Sequence, residues 1–530
     1  MAGNPRAFGP RPRGRRPTVA LRVPRPSLPS FPRIPRLHAL GAPCYLSRSR
    51  ARRHPLSRSR PPQSFGVTES FRGEPWSHDA RLRTIAFLGE LGLNTYVVAP
   101  FDGPKLRRGW ETPFDAGELQ RFAELYAAGR AAGVEVIVGV APARLRGVGG
   151  LNARRDRDGN GVNDDQWPRL RDKFLSLQDV GGRGFLLAFD YTLPSYFSST
   201  ATLRAARLHA KAARLVLFAL RERDPEAFVW LTPAVDHGAW DALKFGAPRY
   251  WMALGRDLPP AVRVLWTGLR RRSPRIRAEV AARLARATGL QLVAVARDPE
   301  DDRLTGFAQE LMARRPRSAW RALKGRALRF GPRDTIDPEL IGNAAAVLVE
   351  GAPEAGLTRV VLACFAETIA DGAAYDPIQA HGRALARVSG AAAPDLTLLY
   401  RLVQRQGRRL LIEGLEVDLE DLVSRSRRSR DGEAREMLRR ALRVLRGLPA
   451  RLREGLGDDP LWREVAPSAE KIAALAALGL KALVAEDAKA AGHAVKAKGL
   501  RRECRRAAKA LRRTRPLVAM GPIYDLIESP

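Results

Sequence analysis

Only three cysteines, Cys44, Cys364 and Cys504, occur in 530 residues. They lie far apart and without metal-ligand spacing, which excludes a disulfide framework and a thiolate zinc site and fits reduced cytoplasm. Long apolar runs are also missing. No stretch of about 18 apolar residues occurs, and no charged leader is followed by an apolar core, so neither a membrane span nor a secretory signal is expected. Acidic side chains are absent from residues 1–64, which carry 15 Arg and 13 of the 39 prolines. Proline removes helical hydrogen bonds and like charges repel, so this segment is expected to be a disordered basic tail.

The formal net charge of +35 is unevenly spread, because residues 421–530 add 25 basic against 14 acidic side chains. The body between the two is only mildly basic. Basic low-complexity segments without interleaved aromatics lack the platforms that base stacking requires, which argues against nucleic acid as a partner. The runs Ser424 to Arg430 and Arg501-Arg502-Glu503-Cys504-Arg505-Arg506 read as solvated helix faces.

From Gly66 onward, short apolar runs alternate with amphipathic stretches. This is the pattern of parallel strands crossed over by helices. Eight candidate strands follow: 66–71, 94–100, 134–142, 184–190, 227–233, 262–268, 291–296 and 345–351. Helical segments over 79–91, 116–132, 200–221 and 276–287 fill gaps between them. Eight strands close a barrel, so an α/β architecture is expected: a (β/α)8 barrel over 65–394, then an all-α domain over 395–530, where Leu, Ala and Arg recur at helical spacing. In such barrels chemistry sits at the C-terminal strand ends.

The stretch Glu69-Ser70-Phe71-Arg72-Gly73, Pro75-Trp76 and Asn94-Thr95-Tyr96-Val97-Val98-Ala99-Pro100-Phe101-Asp102-Gly103 resembles the opening of the glycoside hydrolase family 84 barrel. There the motifs read Glu-Gly-Phe-Tyr-Gly, Pro-Trp and Asn-Thr-Tyr-x-x-Ala-Pro-Lys-Asp-Asp. The resemblance implies removal of β-linked N-acetylglucosamine with no cofactor. It also implies an N-acetylglucosamine-containing glycan or glycopeptide as ligand.

In that family the substrate's own acetamide oxygen attacks the anomeric carbon, an exception to the usual scheme of two catalytic carboxylates. Two adjacent Asp at the end of the fourth strand assist: one orients the acetamide, the other protonates the leaving oxygen. The resemblance makes Asp190 the orienting carboxylate and puts Tyr191 where the general acid belongs. A phenol with a pKa near 10 is poorly matched to proton exchange at neutral pH. Elsewhere Phe101 stands for a Lys, and Ser70 for a Gly. Pro233-Ala234-Val235-Asp236 stands for Pro-Thr-Glu-Tyr, so Asp236 takes the place of the acetamide-holding Tyr. Arg297 and Asp301 replace two Asn, while Asp302 matches the Asp that binds sugar hydroxyls. The expectation is an impaired or inactive hydrolase. The alternatives are an active hydrolase of altered glycan specificity and a non-enzymatic carbohydrate- or protein-binding scaffold.

A further motif owes nothing to the family. Asp156, Asp158, Asn160, the Val162 carbonyl and Asp164 occupy positions 1, 3, 5, 7 and 9 of a calcium-loop pattern with Gly161 at 6. Position 12 is Trp167 rather than Glu, so a structural calcium site and an ordinary Asp-Gly turn both remain readings of this loop.

Overall fold

The computed structural model describes residues 63–142, 166–190, 199–238, 247–297, 328, 330–403, 409–412, 415–428, 432–514, 518 and 520–528. Eight strands appear where the sequence pattern put them: β1 (Ser64–Glu69), β2 (Thr95–Val98), β3 (Glu135–Val140), β4 (Gly184–Ala188), β5 (Phe228–Thr232), β6 (Arg263–Trp266), β7 (Gln291–Ala296) and β8 (Ala346–Glu350). All pair in parallel, each with the next, and β1 with β8 closes the barrel through Gly66 opposite Leu348. Between the strands lie α1 (His78–Glu90), α2 (Ala116–Ala132), α3 (Trp167–Asp179), α4 (Ser199–Arg221), α5 (Ala247–Asp257) and α6 (Ala278–Thr288).

Alternation along each strand sorts residues between two cores, because successive side chains point to opposite faces. Val97, Ile137, Leu186, Trp230, Leu265, Val293, Val295 and Leu348 fill the barrel interior. Tyr96, Val98, Leu292 and Ala294 face the helices. Gly66 is required where β1 meets β2, since a Cβ there would stand 1.7 Å from the Thr95 carbonyl oxygen.

The opening motifs have a structural task. Glu69 is fully buried at the end of β1 and takes a bidentate pair from Arg81 at 2.8 and 2.9 Å, the Tyr96 hydroxyl at 2.7 Å and the Trp76 backbone N–H at 3.0 Å. Trp76 packs against Phe71 and Tyr96 and donates its indole N–H to the Ala352 carbonyl past β8. The cluster therefore pins β1, β2 and β8 together beneath the barrel's C-terminal rim.

After the barrel come α7 (Ala355–Asp371), α8 (Pro377–Ser389), α9 (Ala393–Val403), α10 (Leu419–Arg428), α11 (Gly432–Leu456), α12 (Leu461–Ala490), α13 (Ala494–Arg513) and α14 (Gly521–Glu528). A short antiparallel pair, β9 (Arg409–Ile412) and β10 (Leu415–Asp418), interrupts this helical region and was not anticipated from its composition. No helix among the described residues is long and apolar enough to cross a membrane.

The helical region is clamped to the barrel at the N-terminus of α7. Glu464 of α12 accepts from the Gly356 and Leu357 N–H groups at 2.8 and 2.9 Å, and Arg359 pairs with both oxygens of Asp459 at 2.7 Å. Burial pushes the Glu464 carboxyl up to about 7, reinforced by Glu354, while the two amide bonds and Arg359 pull the other way. A folded pKa above the unfolded value of about 4.5 gives stability that is full below pH 4.5 and lost as pH rises through 7. The unfolding free energy of the parent minus that of Glu464→Gln, from urea titrations, should therefore fall by about 3 kcal/mol between pH 4.5 and 7.5. A flat difference would mean that the amide donors keep the group ionised throughout.

Candidate active site

Each site residue is placed by a strand end or by the turn that follows it, at the rim where (β/α)8 barrels carry chemistry. After β2 the chain turns through a π-helical segment, Pro104–Arg108, that carries Arg107 inward, where it is buried. Arg107 Nη1 donates to Asp190 Oδ1 at 2.7 Å, with the two side chains 4% and 6% exposed. Phe101 is buried beside the pair. The guanidinium of Arg72 covers its ring at 3.6 Å, and that of Arg107 lies at 5.0 Å, both within cation–π range.

On the other side of the rim, Asp236 follows β5. Its position is fixed by the Trp266-Thr267-Gly268 ending of β6. Thr267 donates to the Asp236 carbonyl through both N–H (2.7 Å) and Oγ1 (3.0 Å), the Trp266 indole donates to the Gly238 carbonyl, and Gly238 N–H donates to the Gly268 carbonyl. Gly268 adopts φ 91°, and a Cβ there would stand 2.3 Å from Ser273 Oγ.

Arg297, following β7, donates to Asp236 Oδ2 at 2.7 Å. Its Nε lies 3.2 Å from Glu350 Oε1 at the end of β8, a close charge contact without hydrogen-bonding angle. Glu350 also takes the Ser70 hydroxyl at 3.0 Å and Arg272 at 3.3 Å. His237 Nδ1 is 3.0 Å from the other oxygen of Asp236. Burial opposes the charge on Asp236, but Arg297 and His237 outweigh it and hold the carboxyl well below the usual range. Burial likewise opposes the charge on Arg297, and the carboxylates of Asp236, Glu350 and Asp190 together raise its pKa. Arg297 thus stands in the combined field of all three acids.

The arrangement brings together Ser70, Asp236 and Arg297, with Asp190 and Phe101 joined to them through Arg107 and the reach of Arg297. Tyr191, Asp301 and Asp302 lie outside the described residues, as does the whole loop holding Asp156, Asp158, Asn160, Val162 and Asp164. Arg107, Arg272 and Glu350 were not singled out from the sequence. Glu350 ends a strand and could have been found by the rule that barrel chemistry sits at the C-terminal strand ends. Arg107 lies nine residues beyond β2, and only the π-helical turn returns it to the site.

A sequence model described as beta-N-acetylglucosaminidase matches residues 65–314. The Protein O-GlcNAcase of Rattus norvegicus and that of Mus musculus are each 27% identical over 203 residues, covering 38% of this chain and 21% of theirs. The match therefore spans about a fifth of these relatives. Among solved structures, an O-GlcNAc hydrolase mutant of Thermobaculum terrenum superposes with a TM-score of 0.67 at 19% identity, over 87% of this chain and 93% of that one. CpGH84B gives a TM-score of 0.63 at 16% identity, over 87% and 76%. At these identities the structural likeness speaks for the fold.

Proposed function

We propose that the barrel is an O-GlcNAcase-type domain of glycoside hydrolase family 84 that recognises β-linked N-acetylglucosamine but is impaired in releasing it from natural glycans or glycopeptides. The observation that carries this reading is Asp190. Arg107 holds its Oδ1 at the barrel rim, which supports a carboxylate placed to accept an acetamide N–H, while the next residue is Tyr191 rather than a second carboxylic acid.

In the reaction so supported, Asp190 aligns the acetamide so that its carbonyl oxygen attacks the anomeric carbon as the glycosidic bond breaks. The departing oxygen must then acquire a proton. A carboxylic acid of raised pKa would supply it and later take a proton from water, whereas a phenol near pKa 10 recovers one poorly at neutral pH. Losing a positioned acid costs roughly a hundred- to ten-thousand-fold in rate. Around this centre, Arg297 and Phe101 replace neutral and cationic hydrogen-bonding groups that the family uses on the sugar, further weakening binding. Each buried polar partner left without its mate costs about 1–3 kcal/mol.

The test compares an aryl β-N-acetylglucosaminide with an O-linked N-acetylglucosamine glycopeptide. An aryl oxygen leaves with little proton assistance, so its cleavage reports the acetamide attack alone. Cleavage of the glycopeptide is expected to stay at background, and any aryl turnover to disappear in Asp190→Ala. Comparable turnover of both substrates would overturn the proposed impairment.

A further inference from the structure

We propose that α13 is a docking surface for the phosphate backbone of double-stranded nucleic acid, independent of the barrel's chemistry. Its 20 residues carry nine Lys or Arg against the single acid Glu503. Only Ala497, Cys504 and Ala508 are buried, a narrow seam of small side chains against the neighbouring helices. Leu500, Arg501, Ala507 and Leu511 are half-buried beside this seam, and the other eight basic side chains are exposed.

Sequence alone permits a solvated face here; the helix geometry adds alignment. Lys498, Arg502, Arg505, Lys509 and Arg513 are all exposed and follow one another at steps of four, three, four and four residues. On an α-helix that is one stripe, roughly 22 Å long at about 1.5 Å rise per residue. Like charges three and four apart destabilise a helix, and Glu503 is the single acid in the sequence of α13. Ion pairs with the neighbouring helices meet part of this charge: Glu486 of α12 pairs with Arg501 and Glu528 of α14 with Arg512, while Glu503 is taken by Lys481 of α12. A linear polyanion laid along the stripe would relieve this repulsion.

Duplex nucleic acid fits this surface best. It presents about one charge per 1.7 Å of axis, so roughly a dozen phosphates surround a length of duplex equal to the stripe, and those on its near side face the stripe. An interfacial membrane helix must sink an apolar face into the acyl boundary, but the apolar seam of α13 is turned inward. A protein partner would be anchored by aromatic or large apolar side chains, and the stripe has none. The absence of aromatics also removes base stacking, so binding should be independent of sequence and sensitive to salt.

The test uses the full chain and a fluorescein-labelled 20-base-pair DNA duplex, titrated by anisotropy at several salt concentrations. A variant carrying Arg502→Gln, Arg505→Gln, Arg506→Gln and Lys509→Gln keeps good helix formers at exposed positions. Its slope of log affinity against log salt should be smaller by roughly 3 to 4, with at least a tenfold loss of affinity at 100 mM salt. Replacing the three arginines by Lys should leave the slope unchanged. Equal slopes for parent and Gln variant would overturn the proposal by assigning all binding to other basic segments, such as residues 1–64. Absence of duplex binding would overturn it too, as would a charge-dependent preference for phosphatidylserine vesicles over the duplex.

Discussion

Replacing Arg297 by Met is expected to lower the unfolding free energy by about 3–5 kcal/mol, the range seen when one member of a buried ion pair is removed. Met fills much of the same volume, so the loss reports charge rather than a cavity. Asp236 and Glu350, both 6% exposed, would be left facing one another's field without the guanidinium between them. Because the folded pKa of Asp236 is depressed, its contribution to stability is present above the unfolded value near 3.8 and is lost only as pH falls through the folded one. The defect in Arg297→Met should be full at neutral pH and shrink towards pH 4, where the buried Asp236 carboxyl, deprived of Arg297, can protonate. Adding Asp236→Asn removes one unpaired charge and should recover about half of the loss. Urea denaturation of the parent, single and double variants measures all three. A loss below about 1 kcal/mol would mean that water reaches the acids and that the pair contributes no more than a surface bridge.

The fold was legible because it rests on patterns local in sequence. Each strand is a short apolar run whose alternation separates barrel interior from helix-facing residues, as Val97 and Val295 against Tyr96 and Ala294 illustrate. The family motifs were legible for a related reason. Glu69, Trp76 and Tyr96 build the cluster beneath the rim, a structural task separate from what the pocket above it reads. The partnerships within the site were not legible. That Arg297 would bridge Asp236 and Glu350 depends on β5, β7 and β8 closing into one ring, and that Arg107 would reach Asp190 depends on a π-helical turn with no periodic signature. The strands β9 and β10 escaped because four-residue runs among Leu and Arg carry too few residues to distinguish period two from a helix.

Tyr191→Asp is expected to change catalysis more than any other single substitution. It returns a carboxylic acid to the position beside Asp190, where a raised pKa would allow proton donation to the leaving oxygen and later proton removal from water. Cleavage of an O-linked glycopeptide, whose leaving group needs that proton, should rise by on the order of a hundred-fold. Cleavage of an aryl glycoside should change far less. The selectivity between the two substrates is the diagnostic, since improved binding alone would raise both together. The gain should vanish in Tyr191→Asp/Asp190→Ala, because a restored acid is useless without a carboxylate to align the acetamide. If Tyr191→Asp leaves the glycopeptide uncleaved while a sugar ligand still binds, the missing acid is not what limits the site. The obstruction would then lie with the guanidinium of Arg297, and Arg297→Asn, paired with Asp236→Asn to avoid an orphaned charge, becomes the variant that must restore turnover.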